Sequence, residues 1–466
     1  MSIFSRLTMR RTEFGLLILA AILIAVAMVN LEVSLGNELT REVLYIVFGY
    51  VGVFTIAHLA LCFLAPYADQ IMLPVAALLN GLGLIMIYRL DSALGNSMAT
   101  RQVMWTLVGV VLMVVVLAFI RDHKILSRFS YLLGAIGLVL LALPMAWPIQ
   151  PETAADAKIW ITLGPFSIQP GEFSKILLLL FFAQLLVNKR ALFTVAGYRI
   201  FGMEFPRLRD LAPILLVWAI ALLIMAGEND FGPALLLFAT VLGMLYLATS
   251  RASWLLIGVV LVAIGGFGVY QISDKIQNRF SLFLDPVGNW DTSSQLAQAL
   301  FGMSWGGIMG SGLGQGYPQI VPVAWSDFIL STIGEELGLI GLAAVLVLFT
   351  IFVSRGMRTA LLVKDSYGKL VAAGLSLTLA IQIFVVTGGI SALMPMTGLT
   401  TPFMSAGGSS LMANYILLGL ILRISDSASR PAQVPVAGGL PVGNGADVDN
   451  APAPLGTDTS FHQAVR

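Results

Sequence analysis

The sequence predicts an all-α polytopic membrane protein with about twelve transmembrane helices. Apolar residues make up 58% of the chain and charged residues only 11%. Segment after segment approaches the roughly 20 apolar residues needed to cross a bilayer. The basic residues also concentrate in alternate loops, the pattern expected of a chain that threads a membrane repeatedly.

Residues 1–14 carry Arg6, Arg10 and Arg11 ahead of an apolar run at 16–29. With no clear small-residue cleavage site after it, that run reads as a first spanning helix. Further spans are predicted at 44–64, 71–88, 103–120, 131–147, 173–187, 211–226, 232–249, 253–271, 328–353, 370–388 and 409–422. Only 227–231 separates two of these, which predicts a tight hairpin. The stretch 425–466, rich in Pro, Gly and Ala, is expected to be a disordered tail. No fixed-period repeat is visible.

If the N-terminus is cytoplasmic, the basic loops 121–128, 189–209 and 355–369 lie inside. Loops 151–171, 228–230, 273–326 and 391–408 then lie outside, both termini are cytoplasmic, and Asp327 faces outward. A net charge of +1 with no long basic run gives no reason to expect nucleic acid as a partner. Cys62 is the single cysteine, so no internal disulfide can form. His58, His123 and His462 are too scattered to read as a zinc site.

The leading catalytic candidate is Asp327, an acid at the edge of the apolar run 328–353. A carboxylate at a membrane boundary costs free energy unless solvated, paired or used. Helix capping would serve it equally well. Glu172 and Lys175 stand at i,i+3 where a helix opens, so they pair with each other or leave the lysine to receive a diphosphate. Glu228 and Asp230 are either hairpin polarity or part of the same cavity. Of Glu335 and Glu336, roughly 12 Å beyond Asp327 along a helix, at least one needs an interior partner.

Asp327, Ser331, Gly334, Gly338 and Gly341 fall within roughly 40° of one line on a continuous helix. That stripe admits close helix packing or walls a groove for a lipid chain. The glycine-rich stretch 302–316 has no Walker lysine and reads as a mobile outer loop. The irregular segment 394–410 must be buried in protein or line a cavity.

The motifs QPGEFSKI, ENDFG, GGIMGSGLGQG…VPVAWSDFILSTIGEELGLIG and GGISALMPMTGLTTPFMSAGGSSL, in that order, resemble the SEDS proteins, the RodA/FtsW/SpoVE group of bacteria. LLNGLGLIMIYRLD is most similar to actinobacterial RodA-type members. The resemblance implies a ten-helix core at 71–424, preceded by a segment 1–70 with two additional helices and followed by the tail from 425. It further implies a peptidoglycan glycosyltransferase that polymerises lipid II at the outer face of the cytoplasmic membrane. Such a protein would work with a class B penicillin-binding transpeptidase and other elongation or division proteins. The family's essential aspartate falls on Asp327. Its other motif positions fall on Trp160, Gln169, Pro170, Glu172, Lys175, Asp230, Gly232, Arg279, Gln295, Gln298, Ser405 and Ser409.

There are departures. Trp325 and Ser326 replace His-Thr, Ile159 replaces an arginine, and Asn229 replaces a proline. The expected chemistry has Asp327 as general base, with Lys175 and Arg279 at the diphosphate; a divalent cation, Mg or Mn, is the alternative to the missing arginine. The competing readings are a lipid II flippase and a non-enzymatic scaffold for the transpeptidase.

Overall fold

The computed structural model describes residues 9–38, 40–147, 159–163, 166–194, 198–200, 203–205, 208–228 and 230–431. Eleven of the twelve predicted spans each lie on one helix, and the twelfth, 328–353, is divided between two. The first six long helices are α1 (Arg11–Ser34), α2 (Arg41–Leu64), α3 (Met72–Leu94), α4 (Met98–Phe119), α6 (Ser130–Ala146) and α7 (Pro170–Thr194), with a short α5 (Lys124–Arg128) before α6. After them come α8 (Leu208–Gly227), α9 (Phe231–Thr249) and α10 (Ser253–Ile272). Ten of the described helices, counting three that follow the large loop, are long and apolar enough to span a membrane. The 17-residue α6 and α8 fill the other two predicted spans.

Capping chemistry starts several helices: Thr40 accepts from the Val43 N–H ahead of α2. α3 stops at Gly95, whose φ of 69° is the left-handed conformation that a helix C-terminus favours. Two helices are central, α3 and α16 (Gly408–Ser429), each with 89% of its apolar window covered by protein, whereas among the described residues only 6% of the α10 window is covered. α16 lies close against α4 because Gly109 makes room for the Tyr415 ring, and a Cβ there would stand 2.7 Å from that ring.

The loop 273–326 is far from irregular. It contains α11 (Asp274–Leu284), begun by the Ser273 hydroxyl accepting from the Ile276 N–H, then α12 (Gln295–Gly306) and a 3₁₀ turn at Pro318–Ile320. The predicted single helix at 328–353 is broken into α13 (Ile329–Glu336) and α14 (Gly338–Leu362), hinged at Gly338 with φ 69°. Beyond it α15 (Ser366–Ile390) is capped by Asp365, which accepts from the Gly368 N–H. α16 carries Ser425 and Asp426, both buried, so the expected tail boundary at 425 falls inside a helix; residues 432–466 lie outside the described ones.

The hinge explains the glycine-rich stretch, which is a clasp rather than a mobile loop. Ser311 and Gly312 donate their N–H groups to the Glu335 and Glu336 carbonyls, and Leu339 and Ile340 donate back to Gly307 and Ile308. The carboxylates finish the seal. Glu335 accepts from the Tyr317 N–H at 2.5 Å, while Glu336 accepts from Gly314 N–H and from Arg89 Nε at 2.9 Å. Arg89, which also donates to the Gly316 carbonyl, is the interior partner that two buried acids require. The small-residue line from Asp327 to Gly341 therefore does not exist as a stripe: the axis breaks at 337–338, and Gly334 packs on Met303 of α12.

Candidate active site

Asp327 sits in the turn before α13 and does not cap it. The N-cap position is Phe328, and no side chain accepts from the first turn. What fixes the backbone around Asp327 is the 400–410 segment: the Ser405 hydroxyl donates to the Ser326 carbonyl at 2.5 Å and accepts from the Thr401 N–H, and Ala406 N–H donates to the Trp325 carbonyl at 2.8 Å. Ser405 is thus a brace for the aspartate, its hydroxyl occupied on both sides.

Half-buried, Asp327 opens into a cavity of about 530 Å³. One wall is α11, where Asp274, Lys275, Asn278 and Arg279 recur at helical spacing and share a face. Gln295 at the start of α12 and Met396 and Gly398 of the irregular segment complete it. Arg279 is held there by donating to the Thr397 carbonyl at 3.1 Å. Burial pushes the Asp327 carboxyl above the ordinary range, and its own backbone N–H and the positive field of Arg279 only partly oppose that rise. A base so placed is stronger than an exposed carboxylate, and beside it is room for a large ligand.

A second group of charges lies on the other side of the 396–399 segment. Glu172 and Lys175 are both buried and pair at 2.6 Å through Lys175 Nζ. Glu228 and Asp230, at the hairpin between α8 and α9, line the same small space of about 10 Å³, roughly the size of one water. Leu399 closes it, while Gly398 faces the larger cavity. One Glu228 carboxyl oxygen is buried with no hydrogen-bond partner among the described residues. Burial, reinforced by Asp230, pushes the Glu228 carboxyl up to about 8. Burial and the neighbouring Glu172 raise Asp230 to about 6 against the opposing fields of Lys275, Arg279 and Lys175. Arg279 therefore acts on both carboxylate groups.

The remaining expected site residues separate. Gln169 lines the small space, and its N–H donates to the Ser409 hydroxyl at 2.9 Å, which ties the start of α7 to α16. Trp160 is 38% exposed, ahead of a hairpin of β1 (Ile161–Leu163) and β2 (Phe166–Ile168), and lines neither cavity. Gln298 also faces neither, and its side-chain oxygen is buried with no hydrogen-bond partner among the described residues. Lys275 and Asn278 were missed by the sequence reading. Their signal was present: the run DKIQNR puts its polar residues on one helical face. Among the described residues no group of three or more His, Cys, Asp or Glu is placed to hold a metal ion.

A family model for cell cycle proteins of the FtsW/RodA/SpoVE type matches residues 69–430. The chain belongs to this family. It is 49% identical over 431 residues to the peptidoglycan glycosyltransferase RodA of Mycobacterium tuberculosis, covering 91% of this chain and 92% of that one. The RodA of Mycobacterium leprae is likewise 49% identical over 435 residues, with the same coverage. Stage V sporulation protein E of Bacillus subtilis, a more distant FtsW/RodA/SpoVE relative, is 31% identical over 373 residues, 77% of this chain and 96% of its own. Among solved structures, a chain of a peptidoglycan synthase complex, described as coordinating polymerization and crosslinking, matches with a TM-score of 0.63 and 26% identity over 78% of this chain and 99% of that one. A variant of the Thermus thermophilus rod shape determining protein RodA shares the fold, with a TM-score of 0.55 at 24% identity over 78% and 99%.

Proposed function

We infer that this chain is a peptidoglycan glycosyltransferase in which Asp327 is the general base. The activity is the one named for its relatives at 49% identity over nine-tenths of both chains. The observation that supports the role of Asp327 is its position: a desolvated carboxylate, not engaged in capping, on the wall of a 530 Å³ cavity beside Arg279. In the reaction the C4 hydroxyl of one lipid-linked disaccharide attacks the anomeric carbon of another. Asp327 takes the hydroxyl proton as the C–O bond forms, and the polyprenyl diphosphate departs with the electron pair of the bond it leaves. Arg279, with Lys275 on the same helix face, stabilises that departing charge. Lys175 supports the same field from behind the 396–399 segment, where Glu172 holds it.

The multi-pass chain has both termini on the cytoplasmic side and Asp327 on the outer side, a reading that rests on the basic loops. We further propose that 71–424 is the catalytic core, that α1 and α2 are an addition to it, and that a class B penicillin-binding transpeptidase is the partner. Purified protein incubated with labelled lipid II in detergent, with products sized on a gel, tests the assignment. Polymer is expected. Its absence, with and without a cognate transpeptidase, would leave the flippase or scaffold reading standing, since flipping has no meaning in detergent.

A further inference from the structure

At the end of the bundle opposite Asp327 the structure holds a cavity of about 340 Å³ that the glycosyltransferase reading does not use. The separation follows from α14, which starts near Asp327 and runs 25 residues, roughly 37 Å, to reach this cavity with Arg355, Arg358, Thr359 and Leu362. The other walls are the turn joining α2 to α3 and the last turns of α16.

The charges are arranged asymmetrically. Asp69 is consumed: one of its oxygens accepts from the Ile71 and Met72 N–H groups at the start of α3, and the other takes Arg355 Nε at 2.7 Å. Ser425 fixes Asp69 in turn by accepting from its N–H. The guanidinium of Arg355 is therefore held in one orientation before any ligand arrives, with its charge balanced. Arg358 has no hydrogen-bond or ion-pair partner among the described residues, so the cavity carries one uncompensated positive charge. Beside these polar groups the lining turns apolar at Leu362 and Ile71, and the adjacent Leu361 is 82% exposed at the end of a spanning helix.

We propose that this cavity binds the headgroup of an anionic phospholipid. Arg358 and the preoriented Arg355 take the phosphodiester, and the acyl chains leave over Leu361 and Leu362 into the bilayer. A fixed fork of N–H donors suits a phosphodiester, and basic pockets between spanning helices recognise such headgroups. Free phosphate offers the same oxygens but has no use for the apolar exit, and this favours the lipid. The inference is independent of the catalytic assignment.

The experiment is native mass spectrometry of the full-length protein in detergent, titrated with phosphatidylglycerol, phosphatidylcholine or inorganic phosphate. Retention of phosphatidylglycerol about tenfold above phosphatidylcholine is expected. Arg358→Gln should remove that preference, Arg358→Lys should keep most of it, and Arg121→Gln, an exposed arginine at the same end, should leave it intact. Melting temperatures of the lipid-free variants, matched to wild type, show that Arg358→Gln is folded. Equal retention of the two lipids, or an unchanged preference in folded Arg358→Gln, overturns the proposal. Displacement of phosphatidylglycerol by millimolar phosphate overturns the lipid assignment in favour of a soluble anion.

Discussion

Two carboxylate-bearing regions lie on either side of the 396–399 segment, and they differ in space more than in charge. Around Asp327 the protein leaves a cavity of about 530 Å³, and its cations sit across that space on another helix. Around Glu172 and Lys175 it leaves about 10 Å³, and acid and base touch at 2.6 Å. A buried charge that meets its partner directly is a structural element, because its electrostatic demand is met within the fold. One that faces room and a distant cation has that demand unmet until a ligand arrives. The difference teaches that proximity to the site is insufficient for a chemical role; an acid needs both basicity and volume.

The sharpest way to break this contrast is Asp327→Asn. Asparagine keeps the shape but accepts no proton, so polymerisation of labelled lipid II should fall about 100- to 10,000-fold with normal membrane accumulation. Asp327→Glu retains the base but shifts it, and on the order of 100-fold should be lost. Because the Asp327 carboxyl is raised by burial, the acid limb of the rate profile should fall above the ordinary aspartate range, with activity lost as pH drops through it. Near-wild-type polymer from Asp327→Asn would return the search to the closed cluster.

The closed region predicts a different signature. Lys175→Met leaves Glu172 buried and unpaired, a change that typically costs about 3–5 kcal/mol and should appear as low accumulation in membranes. Adding Glu172→Gln should restore accumulation. If Lys175→Met accumulates normally yet polymerises poorly, the lysine serves the substrate directly and the contrast collapses. Arg279→Ala should lower the rate about 100-fold with little loss of protein, since it removes one charge donor from the open cavity.

The smallest effect concerns Glu228. Its folded pKa of about 8 lies above the ordinary value of 4.5, so the folded state binds the proton more tightly than the unfolded one. Its stability contribution is complete below about 4.5 and is lost as pH rises through about 8, by at most about 1.4 kcal/mol per pH unit. Glu228→Gln should flatten that part of the melting-temperature profile between pH 5 and 9, and an unchanged slope would show that the hairpin carboxyl is solvated.

The spans were legible because hydropathy over some 20 residues is a property of each segment alone. Asp327 was legible for a related reason: an acid at the edge of an apolar run is costly wherever the rest of the chain goes. The break at Gly338 was not, since 328–353 reads as one continuous apolar helix and the hinge is imposed by hydrogen bonds from residues 307–312. Glu335 and Glu336 announced the need for a partner, but only the fold brings Arg89 to within 2.9 Å of Glu336, 247 residues away in sequence. Ser405 and Ser409 show the converse difficulty. A hydroxyl that braces a backbone and one that meets a substrate look alike in sequence, and here both are bonded within the protein.

The clasp at the α13–α14 hinge bears on how a mutational scan of this protein would read. A Cβ added at Gly306, Gly310 or Gly338 would run into backbone atoms, and backbone cannot step aside as a side chain can. Gly310 and Gly338 are also held at positive φ. Such positions would score as intolerant as the proposed base, Asp327, forming a second island of forbidden substitutions away from the cavity that Asp327 lines. Tolerance alone would thus draw the active site too large, and a readout that separates abundance from turnover would be needed to trim it back to the walls of one cavity.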